Sequence, residues 1–171
     1  MPLEKAQLIS KEASKIEFMF NPMELEFKGE VATNESTSAR HQSSGTPKVS
    51  FSHIEAYTVT ISNIMFDTYE EGINVVDKYI SKFKEAVAFA PGKERPPLYT
   101  FQWGSIVYLR RCFIEQLSYK LTMFLEDGTP VRAVIGSLTL KEADEEEENA
   151  SNSTSNPSQS QRQAESRRRS G

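Results

Sequence analysis

The only cysteine, Cys112, and the only two histidines, His41 and His53, are the first candidates for a nucleophile, a base or a zinc ligand. The two histidines flank a polar stretch at residues 33–52, and Cys112 lies in a strand-like run much further along the chain. Nothing in that spacing predicts a cysteine–histidine catalytic pair. A zinc site would need a fourth ligand, and no CxxC or HxxxH spacing supplies one. We therefore interpret Cys112 as a small buried hydrophobic residue, and we predict no catalytic residue, no metal and no cofactor.

Phosphate and nucleic-acid chemistry has equally little support. Gly128 and Gly136 are isolated, and neither opens a helix as a phosphate-binding loop does. Tyr99, Phe101 and Trp103 could form a stacking platform for single-stranded nucleic acid or another ligand. The net charge of −4 and the isoelectric point of about 5.4 count against nucleic acid. A ligand- or nucleic-acid-binding β-barrel therefore stays as an alternative only, and we predict no nucleic-acid partner.

A β-hairpin is predicted at residues 121–135, where Asp127 and Gly128 separate two β-rich runs. Gly128 can take the positive φ of the turn, and Asp127 supports turns by bonding its own backbone. Pro130 lacks an N–H group, so it should lie at the strand entrance. Arg132 lies among apolar neighbours and needs a carboxylate or backbone carbonyls nearby. We expect Arg132 to anchor the hairpin or a contact between subunits.

Apolar residues elsewhere alternate with polar ones and predict further strands at residues 5–10, 15–20, 25–31 and 56–67. In the second of these, Ile16, Phe18 and Phe20 fall on one face. A period of three and four residues predicts one amphipathic helix. Its stripe consists of Ile73, Val76, Ile80, Phe83 and Val87. The predicted class is mainly β with one flanking helix, an antiparallel β-barrel or sandwich.

Two polar segments interrupt this pattern. Residues 33–52 are rich in Ser, Thr, Asn and Gln, which indicates either a flexible surface loop or an arm that orders against a neighbouring subunit. Residues 143–171 begin with an acidic run and continue with Ser, Asn and Gln, which predicts a disordered tail. We thus expect a folded domain at 1–142 and a tail at 143–171.

The sequence also bears on the compartment. A single cysteine excludes an intrachain disulfide, and the N-terminus lacks the pattern of a secretory signal. No apolar run approaches the ~20 residues of a transmembrane helix. We expect synthesis in the cytoplasm and no direct membrane insertion.

Three segments together resemble one known family. Residues 16–22 are similar to its F-x-F-N-P element, residues 95–104 to its PP-x-x-x-F-x-WG element, and residues 124–133 to its F-x-x-DG-x-PVRA element. The family is the tube-initiating or tube–spike adaptor protein of bacterial contractile injection systems, which is related to phage tail-tube proteins. The matching residues carry a predicted role in assembly: Asn21, Pro22, Pro97, Phe101, Trp103, Gly104, Asp127, Gly128, Pro130 and Arg132.

The resemblance covers residues 5–142 and implies a tail-tube β-barrel assembled as a hexameric ring. It implies as partners further copies of this chain, the spike or hub protein and the inner-tube protein, with baseplate or sheath components as further candidates. Many members continue into a LysM-type domain, whereas this sequence continues with the acidic, Ser- and Asn-rich segment. The expected function is a structural subunit that joins spike to tube and initiates tube assembly. An ordinary inner-tube subunit or a phage tail-tube protein is the nearest alternative.

Overall fold

The computed structural model describes residues 2–40 and 47–144, and only the backbone at 35–40 and 47–49. His41 and the predicted tail beyond Asp144 lie outside the described residues. The strands in chain order are β1 (Ala6–Ile9), β2 (Ile16–Glu17), β3 (Glu26–Lys28), β4 (Val31–Arg40), β5 (Pro47–Ile54), β6 (Thr58–Asp67), β7 (Tyr99–Trp103), β8 (Ile106–Phe124) and β9 (Pro130–Glu142). A π-helical turn, Val76–Ile80, continues directly into the α-helix α1, Ser81–Ala86.

Seven of these strands form one antiparallel sheet in the order β2-β1-β7-β8-β9-β6-β3, and β4 pairs with β5 in a separate two-stranded sheet. The larger sheet curls into a half-barrel, since strand twist accumulates across neighbouring strands. The hairpin of β8 and β9 is its longest pairing and runs from Cys112↔Glu142 to Phe124↔Pro130. The predicted class, mainly β with one flanking helix, is confirmed.

The core lies between the inner face of the curled sheet and the helical segment. Four fully buried phenylalanines dominate it, with ring centroids 6.3 Å apart for Phe18 and Phe83, 6.3 Å for Phe18 and Phe101, and 5.7 Å for Phe66 and Phe83. Each buried phenyl ring contributes roughly 1.5–3 kcal/mol. Because these rings come from β6, β7, α1 and the segment after β2, they join the elements into one core.

In the neighbouring strands β6 and β9, the alternation of buried and exposed side chains shifts by one residue at the same level of the sheet. In β6 the change occurs at Asn63, whose φ is +55°, and in β9 it occurs at Gly136 between the partner pairs Ser62↔Ser137 and Ile64↔Ile135. The buried side chains on either side of these positions are Val59, Ile61, Ile64 and Phe66 in β6 and Ala133, Ile135, Leu138 and Leu140 in β9. The matched change keeps both halves of each strand directed at one core.

The sequence pattern predicts the position of the helix correctly but identifies its buried face only in part. Ile80 and Phe83 are buried as expected, but Ile73 and Val87 are exposed, and Val75 is buried instead. The π-helical turn explains the difference. Its bonds join residues five apart, as the Ser81 N–H to the Val76 carbonyl shows, so the buried stripe shifts away from a regular 3.6-residue period.

Two further expectations require correction. The polar stretch at 33–52 is not a structureless loop in its described part, because β4 and β5 pair antiparallel there from Val31↔Ile54 to Arg40↔Pro47. Phe20 does not share the buried face of Ile16 and Phe18, since the strand ends at Glu17 and Phe20 is half exposed. The bend before Pro22 breaks the alternation that predicted it.

Candidate assembly surfaces

The arm, defined here as β4 and β5, is the first candidate surface. It belongs to no larger sheet, and a backbone bond of 2.8 Å from the Glu55 N–H to the Glu30 carbonyl closes its base. Val31 pairs with Ile54, and Thr33 pairs with Phe51 across a bulge, so the apolar side chains share one face. Phe51 is 79% exposed and Ile54 is 82% exposed. The arm therefore presents an apolar face with no covering element in the described part of the chain.

Unpaired strand edges form the second candidate surface. β7 pairs with β8 only as far as Cys112, so one edge of β8 beyond that residue has no partner strand among the described residues. β3 pairs with β6 only at Thr58 to Thr60, which leaves the outer edge of β6 from Ile61 onward without a strand as well. Exposed N–H and C=O groups on such edges are ready to pair with another chain.

Three of the predicted signature residues meet at Glu4, two at its backbone carbonyl and one at its side chain. Asn21 Nδ2 donates to the Glu4 carbonyl at 2.8 Å, and Trp103 Nε1 donates to the same oxygen at 3.2 Å. The Asn21 side-chain oxygen accepts the Ala6 N–H at 2.9 Å. Gly104 has a φ of +59°, and a Cβ there would lie 3.3 Å from the Glu4 Cβ. Two separate motifs thus hold the segment leading into β1.

The remaining members of these two motifs are buried in the interior of the subunit. Pro22 and Pro97 are buried. Phe101 is fully buried between the rings of Phe18 and Tyr108, whose centroids lie 6.3 Å and 5.7 Å away. Because Phe101 and its neighbour Tyr99 are buried, they cannot form the aromatic stacking platform considered from the sequence.

The turn of the long hairpin contains Asp127, Gly128 and Pro130. The Gly128 N–H donates to the Leu125 carbonyl at 2.9 Å, and Gly128 has a φ of +86°. Such a type I turn followed by a left-handed glycine is a common three-residue hairpin loop. Asp127 Oδ1 accepts the Thr129 N–H at 2.9 Å, which lowers the pKa of the Asp127 carboxyl. Pro130 begins β9, as predicted.

Arg132 finds its carboxylate on the neighbouring strand. Asp67 and Arg132 are register partners, and Arg132 donates to Asp67 Oδ2 from Nε at 2.7 Å and from Nη2 at 2.6 Å. Asp67 also accepts the Tyr69 N–H at 2.9 Å; this backbone bond and the guanidinium lower the pKa of Asp67. The pair therefore ties the start of β9 to the end of β6. Its role in subunit contact stays a prediction.

An ion cluster around Glu12 is a feature that sequence reasoning missed. Arg95 donates to both carboxylate oxygens at 2.9 Å, the Leu98 N–H donates to Oε2 at 3.1 Å, and Lys93 also contacts Oε1. Arg95 foremost holds the pKa of Glu12 well below its usual range. The cluster fixes the segment before β7 against the turn between β1 and β2. Sequence patterns do not predict this cluster, because Arg95 and Glu12 lie 83 residues apart in the chain.

Cys112 and His53 lie in different parts of the described structure, one in the core and one on the arm. Cys112 is buried, its Sγ contacts the Tyr99 carbonyl at 3.4 Å, and burial raises the pKa of the thiol to about 12. His53 is exposed on the arm and contacts Ser52 and Glu55. Among the described residues, no three His, Cys, Asp or Glu side chains could hold a metal ion. No helix in the same part of the chain is long and apolar enough to cross a bilayer.

Comparison with known proteins gives the chain its family. No curated protein matches it. The family model described as "Contractile injection system tube protein" matches residues 2–151. That range contains both sheets, the helical segment and all the signature residues named above. Since the match covers most of the 171 residues, this chain belongs to the contractile injection system tube protein family.

Proposed function

We propose that this chain forms a hexameric ring that joins the spike or baseplate hub to the inner tube and initiates tube assembly. Family membership makes it a structural tube subunit that is incorporated into the injection particle; the hexamer, the ring position and the initiating step are the proposal. The observation that carries it is the arm, whose apolar face is exposed on a hairpin separate from the main sheet.

Ring closure would use the unpaired edges of β8 and β6. An edge strand that pairs with a neighbouring subunit loses its tendency to aggregate, and repetition of one such contact closes a ring. The long second half of β8 supports this role, because it offers backbone groups along one edge from Phe113 to Phe124. Each subunit would then contribute its half-barrel to a continuous wall.

The arm would reach the next ring in the stack. Val31, Phe51 and Ile54 lie on its apolar face and would lose contact with water there. Burial of each such side chain is worth roughly 1.5–3 kcal/mol. An arm of this kind needs a second ring to bind to. The arms of the first ring would therefore recruit the second ring and become ordered against it.

An ordinary inner-tube subunit is the second candidate, and the description of the matching family, a tube protein, favours it. Copy number in a purified injection particle separates the two. We expect a single ring of this chain next to the spike, measured by electron cryomicroscopy and quantitative mass spectrometry. Many stacked rings of this chain along the particle would contradict the adaptor position and support the tube subunit.

A further inference from the structure

The arm joins the main sheet through a short break between two paired regions. One leg, residues 29–30, connects β3 to β4, and the other leg, residues 55–57, connects β5 to β6. Because the second leg is one residue longer, the strand pair bends and twists here, as it does at a β-bulge. The direction of the arm relative to the main sheet is therefore set at this junction.

Backbone bonds hold the junction at two points. The Glu55 N–H donates to the Glu30 carbonyl at 2.8 Å, and the Glu142 N–H at the end of β9 donates to the Tyr57 carbonyl at 2.8 Å. Lys28 and Glu30 also form an ion pair at 2.8 Å, but their side chains are largely exposed and both lie on the same side of the junction. These bonds join the two legs, and side-chain packing is what can hold the arm at one angle.

An aromatic ring lies against a glycine at this junction. Continued by one residue, the register of β3 with β6 places Gly29 opposite Tyr57. A Cβ on Gly29 would lie 2.9 Å from Tyr57 Cε2, closer than real Cβ atoms approach other atoms, so the ring occupies the space that a side chain would need. The φ of Gly29 is not positive, so backbone conformation does not explain the glycine. Coverage of an edge glycine by a facing aromatic ring stabilises a sheet at such a position.

A row of aromatic rings connects Tyr57 to the core. The Tyr57 ring centroid lies 6.4 Å from that of Phe27, and the Phe27 centroid lies 5.8 Å from that of Tyr108. Tyr108 in turn lies 5.7 Å from the fully buried Phe101. Ring pairs at these separations attract each other. The base of the arm is therefore packed, ring by ring, against the rigid part of the subunit.

We propose that the Tyr57 ring, seated on Gly29, is a clamp that fixes the direction of the arm before the arm meets the next ring of subunits. The benefit to assembly rests on the proposed function, in which the arm captures that ring. A segment that already holds its bound direction loses less conformational freedom on binding and therefore binds more tightly. Tyr57 and Gly29 are positioning residues, and the apolar face of the arm makes the contact.

The direction of the arm can be measured in the free subunit by pulsed electron–electron double resonance. One nitroxide label is placed at Ser50→Cys on the arm and the other at Lys84→Cys on α1, both at exposed positions. Cys112 is buried and gives little background. We expect a narrow distance distribution with Tyr57 present and a broader one in Tyr57→Ala, because the arm then loses its contact with the row of rings.

Two control variants separate the clamp from a general effect on stability. Tyr57→Phe keeps the ring and should keep the narrow distribution. Tyr69→Ala removes a tyrosine of similar exposure, 53% against 45%, beyond the opposite end of β6, and should leave the distribution unchanged. A narrow distribution in Tyr57→Ala, or a broad one in Tyr57→Phe, overturns the clamp.

The glycine provides an independent test of the same contact. In Gly29→Ala the new methyl group displaces the Tyr57 ring, so the distribution should shift or broaden. In a chain that already carries Tyr57→Ala, the methyl group has no ring to displace, and Gly29→Ala should cause no further change. Equal changes in both backgrounds would show that the contact between Gly29 and Tyr57 is not the cause.

Tube growth tests the benefit to assembly. Tyr57→Ala keeps the apolar face of the arm but leaves fewer arms in the competent direction, and the apparent affinity falls by that fraction. If about a tenth of the arms hold that direction, the critical concentration for growth, measured by sedimentation, rises about tenfold, whereas Tyr57→Phe grows like the unmodified chain.

The possible failures are distinguishable. If the unmodified chain forms no rings or tubes, the proposed function fails, and the spin-label distances still decide whether the clamp exists. If Tyr57→Ala broadens the distribution but tubes grow at the normal concentration, the direction of the free arm does not limit growth. The inference is then wrong while the proposed function stands.

Discussion

At the scale of single residues, Glu12 accepts more bonds than any other carboxylate in the described part of the chain, and its side chain is 22% exposed. Glu12→Gln keeps the shape but removes the charge that Arg95 and Lys93 contact. We expect the free energy of unfolding to fall by about 2 kcal/mol at neutral pH, the range for hydrogen bonds to charged groups. Urea unfolding of the two proteins measures it, with Glu24→Gln, an exposed carboxylate, as the control.

The pH dependence of that difference follows from the lowered pKa of Glu12. A carboxyl whose pKa is lowered in the folded state stabilises it fully above the unfolded value of 4.5 and loses this contribution as the pH falls below it. The difference between wild type and Glu12→Gln should therefore shrink through acidic pH. A difference that stays constant from neutral pH to strongly acidic pH would show that charge is not the cause.

Arg132 and Asp67 give a second prediction at this scale. Because the Arg132 side chain is 40% exposed, water and salt screen the pair. In a double-mutant cycle with Arg132→Ala and Asp67→Asn, we expect a coupling energy between a few tenths and about 1 kcal/mol, smaller at high salt. Fully additive effects, together with rings that form normally from Arg132→Ala, would mean that the pair anchors neither the hairpin nor a subunit contact.

At the scale of single residues, the sequence predicts which side chains need a partner but not which partner they contact. The need of Arg132 for a nearby carboxylate follows from its apolar neighbours, but Asp67 as its partner follows only from the register of β6 with β9. Asn21, Trp103 and Gly104 are recognisable as motif residues. All three contact Glu4, and because Asn21 and Trp103 bond its backbone carbonyl, the identity of the Glu4 side chain gives no sign of these bonds.

At the scale of elements, the hairpin between β8 and β9 permits a matched test with two glycines. Gly128 has a φ of +86°, where an alanine is strained although no atom lies within 4 Å of its Cβ position. Gly128→Ala should lower the free energy of unfolding by about 1–2 kcal/mol. In Gly136→Ala the new Cβ would make only an ordinary contact with the Ser118 carbonyl, at 4.0 Å, and φ is not positive, so stability should change little. Equal effects of the two substitutions in thermal or urea unfolding would contradict this account of the turn.

Local sequence patterns predict the hairpin correctly but predict the helix and the arm only in part. Asp-Gly and the following Pro130 predict the hairpin correctly because turn chemistry is local. The buried stripe of the helix was partly wrong because a π-helical turn changes the period without a distinctive composition. Composition leaves residues 33–52 open between a loop and an ordering arm, because Ser, Thr and Asn are common in loops. The pairing of β4 with β5 depends on backbone bonds rather than on a buried face, so no apolar pattern predicts it.

At the scale of the whole molecule, the account predicts that the apolar face of the arm drives stacking and not folding. Phe51→Ser together with Ile54→Ser should leave the unfolding transition of the subunit nearly unchanged, because both side chains are largely exposed. The same change should abolish or strongly reduce the growth of tubes, measured by sedimentation and electron microscopy. Ser50→Ala, also on β5, is the control. Tubes of normal length from the double variant would remove the arm from the mechanism.

The most direct test of the central claim is the mass of the assembled species, measured by size-exclusion chromatography with light scattering, alone and with the spike protein. We predict a complex containing six copies of the 19.3 kDa chain bound to the spike. Addition of inner-tube protein should then extend that complex. A strictly monomeric protein with no affinity for spike or tube would contradict the account.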